Sequence, residues 1–130
     1  MKHWAADLIG KPYQAGARGP DAFDCLGLVR HYFQARHGVD LPEYNLLTST
    51  PEDLHRFTRA TGWRRCAGSA QDEDLLMMEG FEGRHVGVVV ATSEGLGLLH
   101  ATGKGSVGHV VWQPLNTLIM YRHKEIWRKP

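Results

Sequence analysis

Phe23-Asp24-Cys25-Leu26-Gly27-Leu28-Val29-Arg30 is the stretch on which the reading of this chain turns. Upstream, Gly10-Lys11-Pro12-Tyr13 and Gly16-Ala17-Arg18-Gly19-Pro20 are punctuated by glycine and proline, which interrupt helices. Downstream, Leu26, Val29 and Phe33, with Leu28 and Tyr32 beside them, follow the three- and four-residue steps of a helix's buried face. A loop therefore becomes a helix at Cys25. A thiol at that junction faces the positive end of the helix dipole, which favours thiolate over thiol. An ordinary cysteine, with a pKa of about 8.5, is only a few per cent thiolate near neutral pH, and a fall to about 7.5 or below makes the nucleophilic form a large fraction. Cys25 is expected to be an activated nucleophile, the plainer alternative being a small buried hydrophobe.

The 130 residues, 42% of them hydrophobic, suit one domain spanning 1–130 with a single core that needs neither disulfide nor metal to fold. A net charge of +1, with no block of like charges and no basic stripe interleaved with aromatics, argues against nucleic acid as a partner. Two cysteines give no disulfide framework and are expected to be free thiols. The residues from Met1 to Asp7 lack an apolar stretch of signal-peptide length, and the longest apolar run, Val86 to Ala91 interrupted by Gly87, is too short to span a bilayer. The expectation is a chain made in the cytoplasm and not inserted in a membrane.

Lys2 to Ile9 reads as a short helix ended by Gly10, and Cys25 to Arg36 as the main helix ended by Gly38. A third is expected from Thr50, as N-cap before Pro51, Glu52 and Asp53, to about Ala60, with a stop at Gly62. The period then changes. Strands are expected at Trp63–Cys66, Leu75–Met78, His85–Thr92, Leu96–Ala101, Gly108–Gln113 and Leu118–Ile126. Helices followed by strands predict an α+β fold, N-terminal helices packed on a mainly antiparallel sheet.

Ser93-Glu94-Gly95 marks a hairpin turn between two of these strands. If the turn is the four residues Thr92 to Gly95, Ala91 pairs with Leu96 and Gly87 with His100, and His85 becomes the diagonal neighbour of His100 on one face. A three-residue loop would separate the histidines unless a bulge restored the register. A cysteine peptidase needs a thiolate, a histidine that takes its proton and passes it to the leaving amine, and a polar group that orients the histidine. Cys25, His85 and His100 can fill those roles in that order, a second imidazole serving where a carboxylate is commoner. Backbone N–H groups at the helix start suit a tetrahedral oxyanion. His109 competes with His100 for the third role, and Cys66, beside Arg64 and Arg65, reads as structural. Cys25, His85 and His100 are also zinc-ligand types, but no short-spaced ligand pair accompanies them, and no cofactor or metal is expected.

At these residues the chain resembles the NlpC-type (NlpC and p-sixty) family of cell-wall cysteine peptidases. The shared pattern is Gly10-Lys11-Pro12-Tyr13, Asp24-Cys25-Leu26-Gly27-Leu28-Val29, His85-Val86-Gly87-Val88 and His100-Ala101, in order across roughly residues 4 to 101. The resemblance implies a papain-like α+β core with Cys25 as nucleophile, His85 as base and His100 as orienter. It further implies that Tyr13 lines the site near the oxyanion and that Asp24 helps hold the substrate. The implied substrate is the stem peptide of bacterial peptidoglycan, at a bond such as that from D-glutamate's side-chain carboxyl to meso-diaminopimelate. A lone domain carrying Gly19-Pro20-Asp21-Ala22-Phe23-Asp24-Cys25 looks most like the phage-tail branch, which implies other phage tail proteins as partners and delivery to the wall with a particle or after lysis. A tail-assembly or tail-tip structural protein with little activity, and a cysteine amidase or transferase on the same fold, are the alternatives.

Overall fold

Asp24 starts the main helix, α1 (Cys25–His37), in extended backbone, and its carboxylate accepts from the Gly27 N–H at 2.6 Å. Such an N-cap is worth about 0.5–2 kcal/mol. At the far end Gly38, with φ +67°, takes the left-handed cap that a side chain resists. The structure, a computed structural model, describes residues 3–41, 56, 58–80, 83–103 and 108–130.

Six strands form one sheet: β1 (Arg64–Cys66), β2 (Leu75–Gly80), β3 (Gly83–Thr92), β4 (Gly95–Ala101), β5 (Val110–Pro114) and β6 (Arg122–Arg128). Their order is β1-β6-β2-β3-β4-β5, and every pairing is antiparallel. Side chains alternate between the faces. Val86, Val88 and Val90 of β3, with Leu99 and Ala101 of β4, pack against Cys25, Leu28, Val29 and Phe33 of α1. Each fully buried Leu, Val or Phe here contributes about 1.5–3 kcal/mol. The opposite face carries a second cluster of Leu76, Met78, Val89, Leu98 and Leu118, flanked by Tyr121. Arg128 closes the β6 side by reaching the buried Asp74 carboxylate through Nε and Nη2, both at 2.9 Å.

The N-terminal segment crosses to the β5 edge. Gly10 N–H donates to the Val110 carbonyl and Val110 N–H to that of Lys11, both at 2.9 Å. Tyr13 then bridges to Phe23, two residues before Cys25.

Several boundaries differ from the sequence reading. The first helix is a 3-10 helix, Trp4–Leu8, capped by the His3 imidazole accepting from the Ala5 N–H. Thr50, Pro51, Glu52 and Asp53 lie outside the described residues, whereas residues 58–61 are helical and the helix stops at Gly62, φ +77°. The last strand starts at Arg122 rather than Leu118. Leu115–Thr117 forms a 3-10 turn whose carbonyl at Leu115 takes the Leu118 N–H, so Leu118 plugs the second cluster instead of joining a ladder.

Candidate active site

The hairpin joining β3 and β4 turns on Ser93 and Glu94, with Thr92 paired to Gly95 and Ala91 to Leu96. That register continues to Val88↔Leu99 and carries His85 and His100 to the same face, where His85 Nε2 and His100 Nδ1 lie 2.7 Å apart. Gly87 makes the approach possible. A Cβ there would stand 2.8 Å from the Leu98 side chain and 2.9 Å from His100 Cβ, closer than real Cβ atoms come. The Tyr121 ring stacks on His85 with centroids 5.1 Å apart and planes 14° from parallel, and Gly80 leaves room for it, since a Cβ would meet that ring at 2.8 Å. His109, the competitor for the third role, uses its carbonyl to receive the Thr102 N–H and hydroxyl, and it is His100 that bonds His85.

Cys25 approaches from the other side of the sheet. It packs with Val86 and Val88, whose side chains alternate with those of His85 and Gly87. The structure holds the two halves on opposite faces of β3 and does not bring them into contact: before pairing with β4 begins, the backbone N–H of Val86 is directed at the thiol, while His85 lies with His100 on the Tyr121 side. Among the described residues no hydrogen bond joins Cys25 to His85, and none of their His, Cys, Asp and Glu side chains form a three-membered cluster able to hold a metal.

Around Cys25 the loop is fastened by one carboxylate. Asp24 accepts from Gly16 N–H at 3.1 Å, from Gly27 N–H, and from Arg18 Nη1 at 2.8 Å on each oxygen. This side chain holds the start of α1, and its negative charge is shared with Arg18. Tyr13 is half-buried against the α1 core, its N–H donating to the Gly108 carbonyl at 2.9 Å.

The electrostatics correct one sequence expectation. Cys25 is only 3% exposed, and burial pushes its thiol up to about 11, with the Asp24 charge adding to the rise. Backbone N–H groups of Val86, Leu26 and Cys25 itself pull the other way and are outweighed. The helix start does aim N–H groups at the sulfur, but desolvation of a thiolate costs more than they return. Burial thus favours the neutral thiol at Cys25. Iodoacetamide near pH 7 is accordingly expected to label Cys66, which is partly exposed, well before Cys25 in the folded protein, and both alike in urea. Faster labelling of Cys25 in the native state would show an activated thiolate after all.

Burial likewise pushes His85 down to about 3, with the neighbouring His100 adding to the fall, and His100 down to about 4 against the opposing hydrogen bond to Gln113. Unfolded histidines titrate near 6.5. Below that value the unfolded chain binds protons that the folded chain refuses, so stability falls with pH until the folded values are reached. The slope is about 1.4 kcal/mol per pH unit for each ring. Urea midpoints between pH 6.5 and 5, where few carboxylates titrate, are expected to show this loss, and His100→Asn to reduce its slope. A flat profile would contradict it.

Gln113 is the polar residue that the sequence reading passed over. The sequence pattern puts it at the end of the expected strand Gly108–Gln113, and in the structure its Oε1 stands 2.8 Å from His100 Nε2. The alternation of β5 was the available signal, since Gln113 shares a face with Val111, the partner of His100.

A buried cysteine at a helix start, set against a sheet that carries a hydrogen-bonded histidine pair, defines a candidate cysteine-hydrolase centre on an α+β fold. Residues 10–128 match the model of the NlpC/P60 family, and the chain belongs to that family. It is similar to the NlpC/p60 domain of the peptidoglycan hydrolase SagA, with 21% identity, a TM-score of 0.63, and coverage of 94% of this chain and 91% of that one. It is also similar to NlpC2 from Trichomonas vaginalis, with 22% identity, a TM-score of 0.62, and coverage of 95% and 43%. Among curated proteins it is 31% identical over 101 residues to tail tip assembly protein K of Escherichia phage N15. That alignment takes in 72% of this chain and 38% of the relative, so the chain spans well under half that protein's length. The structural likeness supports the α+β, mainly antiparallel architecture.

Proposed function

We propose that the protein is a cysteine endopeptidase that hydrolyses an amide bond in peptidoglycan stem peptides, of the D-γ-glutamyl–meso-diaminopimelate type, and that it acts in association with a phage or prophage tail. The observation that supports the reading is the 2.7 Å contact between His85 and His100, the first of them next to Val86, whose backbone N–H is directed at the Cys25 thiol from the helix side of the sheet. In the proposed reaction Cys25 Sγ attacks the amide carbonyl carbon while its proton passes to His85 Nδ1. The oxyanion is met by backbone N–H groups at the start of α1, with Tyr13 at its edge. His85 returns the proton to the departing amine as the C–N bond breaks. Water, giving a proton to His85, then cleaves the thioester, releases the carboxylic acid and restores the thiol. Neutral thiol and neutral imidazole hold the same protons as the ion pair, so the high Cys25 value and the low His85 value are consistent with proton transfer that accompanies attack. Closure of the thiol onto Nδ1 around the end of β3 is the movement the reaction requires. Asp24, shared with Arg18, holds the helix start and offers the stem peptide a charged edge.

Purified peptidoglycan incubated with the protein is expected to release stem-peptide fragments ending at the new carboxyl group, identifiable by mass. No release from walls of several stem types would overturn the peptidase reading. A second reading is favoured by the near-complete burial of Cys25 together with the tail-tip relative: an assembly component that keeps the fold without turnover. It predicts no fragments, but binding to other tail proteins. No helix among the described residues is long and apolar enough to cross a membrane. Directed to the periplasm, the folded chain is expected to damage the wall; harmlessness there would favour the assembly role.

A further inference from the structure

We infer that Gln113, held by Thr117, is a positioning residue that dictates which ring nitrogen of His100, and through it of His85, carries the proton. Its catalytic importance rests on the peptidase reading above, but the proton placement does not.

The inference follows from the polarity of a chain of contacts running from an exposed turn to the histidine pair. Thr117 Oγ1 donates its one proton to the Pro114 carbonyl at 2.6 Å. Its oxygen can then only accept, and it does so from Gln113 Nε2 at 2.9 Å, which also reaches the Thr117 carbonyl at 3.4 Å. The amide nitrogen is thereby pinned to the turn, and the amide oxygen is turned to His100. An amide oxygen only accepts, so the 2.8 Å contact requires a proton on His100 Nε2. A neutral imidazole has one N–H. His100 Nδ1 is therefore bare, and the 2.7 Å contact requires the donor to be His85 Nε2. His85 in turn has spent its proton, which leaves Nδ1 with a free lone pair. That is the atom a base presents to a thiol. Stacking of Tyr121 on His85 holds the plane in which the lone pair lies.

Reversing any link reverses all that follow. With an N–H at the Gln113 position, or no acceptor there, His100 is free to protonate Nδ1 and present it to His85 Nε2. His85 must then move its proton to Nδ1, and the lone pair is lost. A histidine held in the wrong tautomer is a defective base even when its position is unchanged.

The test uses the full chain labelled with nitrogen-15, because imidazole nitrogen shifts separate protonated from bare nitrogens. At neutral pH the wild type is expected to carry its proton on Nε2 in both His85 and His100. Gln113→Met, which keeps the length but removes the acceptor, is expected to give mixed or reversed tautomers at both rings. Release of stem-peptide fragments should fall about 10- to 100-fold, taking as a guide the loss when the group behind a metal-ligating histidine is removed, with kcat affected rather than KM. Thr117→Val, at an exposed turn, should shift the tautomers in the same direction and provides the measurement if Gln113→Met does not fold. A wild-type His100 protonated on Nδ1, or rings that keep Nε2 protonation in every folded variant, would overturn the inference. Tautomers as stated in a wild type that releases no fragments would instead overturn the peptidase reading and leave the proton placement standing.

Discussion

Cys25→Ala is expected to abolish release of stem-peptide fragments from purified peptidoglycan while leaving the fold intact. Removing a covalent nucleophile costs several orders of magnitude in rate. The site offers no substitute, because Cys66 sits on β1, at the far side of the sheet from the β3–β4 hairpin. The structural effect should be small. One buried sulfur is lost, and the Asp24 cap that fixes the helix start is untouched. Mass analysis of the products and an unfolding curve, run on the same preparation, separate the two effects. Turnover by the folded variant would remove Cys25 from the mechanism.

Gly27→Ala should be the more damaging substitution for the molecule as a whole, although it adds a single methyl group to a helix. A Cβ at this position would collide with the Ala17 carbonyl oxygen and stand 3.0 Å from Asp24 Oδ1. That carbonyl is itself fixed by the Asp24 N–H at 3.0 Å and by Arg18 Nη1 at 3.3 Å. The obstacle is backbone rather than the tip of a flexible side chain. Helix propensity pulls the other way, since alanine is better than glycine by about 1 kcal/mol. Overpacking against fixed atoms costs about 1–3 kcal/mol, and the displaced loop also loosens the cap that positions Cys25. The expected result is a lower urea midpoint together with lost hydrolysis. A more stable variant would mean that the loop gives way easily and that propensity decides.

The sequence makes the histidine pair legible because two short-range rules suffice for it. Alternation places His85 with Gly87, and the Thr92–Gly95 turn sets the register that brings His100 beside them. The start of α1 is legible for the same kind of reason, as Asp24 and the spacing of Leu28, Val29 and Phe33 act within a few residues. Gln113 was not legible as a partner of His100. Its position depends on the pairing of β4 with β5, and the chain between Ala101 and Val110 contains no turn signal that counts the register. The state of Cys25 was hidden more deeply. A helix start favours thiolate, but the opposing desolvation comes from Val86, Val88 and other residues distant in sequence that enclose the sulfur only after the sheet has formed. The late start of β6 reflects similar competition, with burial of Leu118 in the second cluster outweighing its preference for a strand.

The Ser93–Glu94 turn has a consequence far from where it lies. Which side of the sheet His100 faces is a matter of register: in this sequence, slipping the pairing by one residue, so that Thr92 faces Leu96 across a three-residue loop, would send His100 to the helix side and leave His85 without its partner, unless a bulge restored it. A tight turn at an exposed tip, touching nothing in the site, thus acts as a two-position selector for the histidine pair.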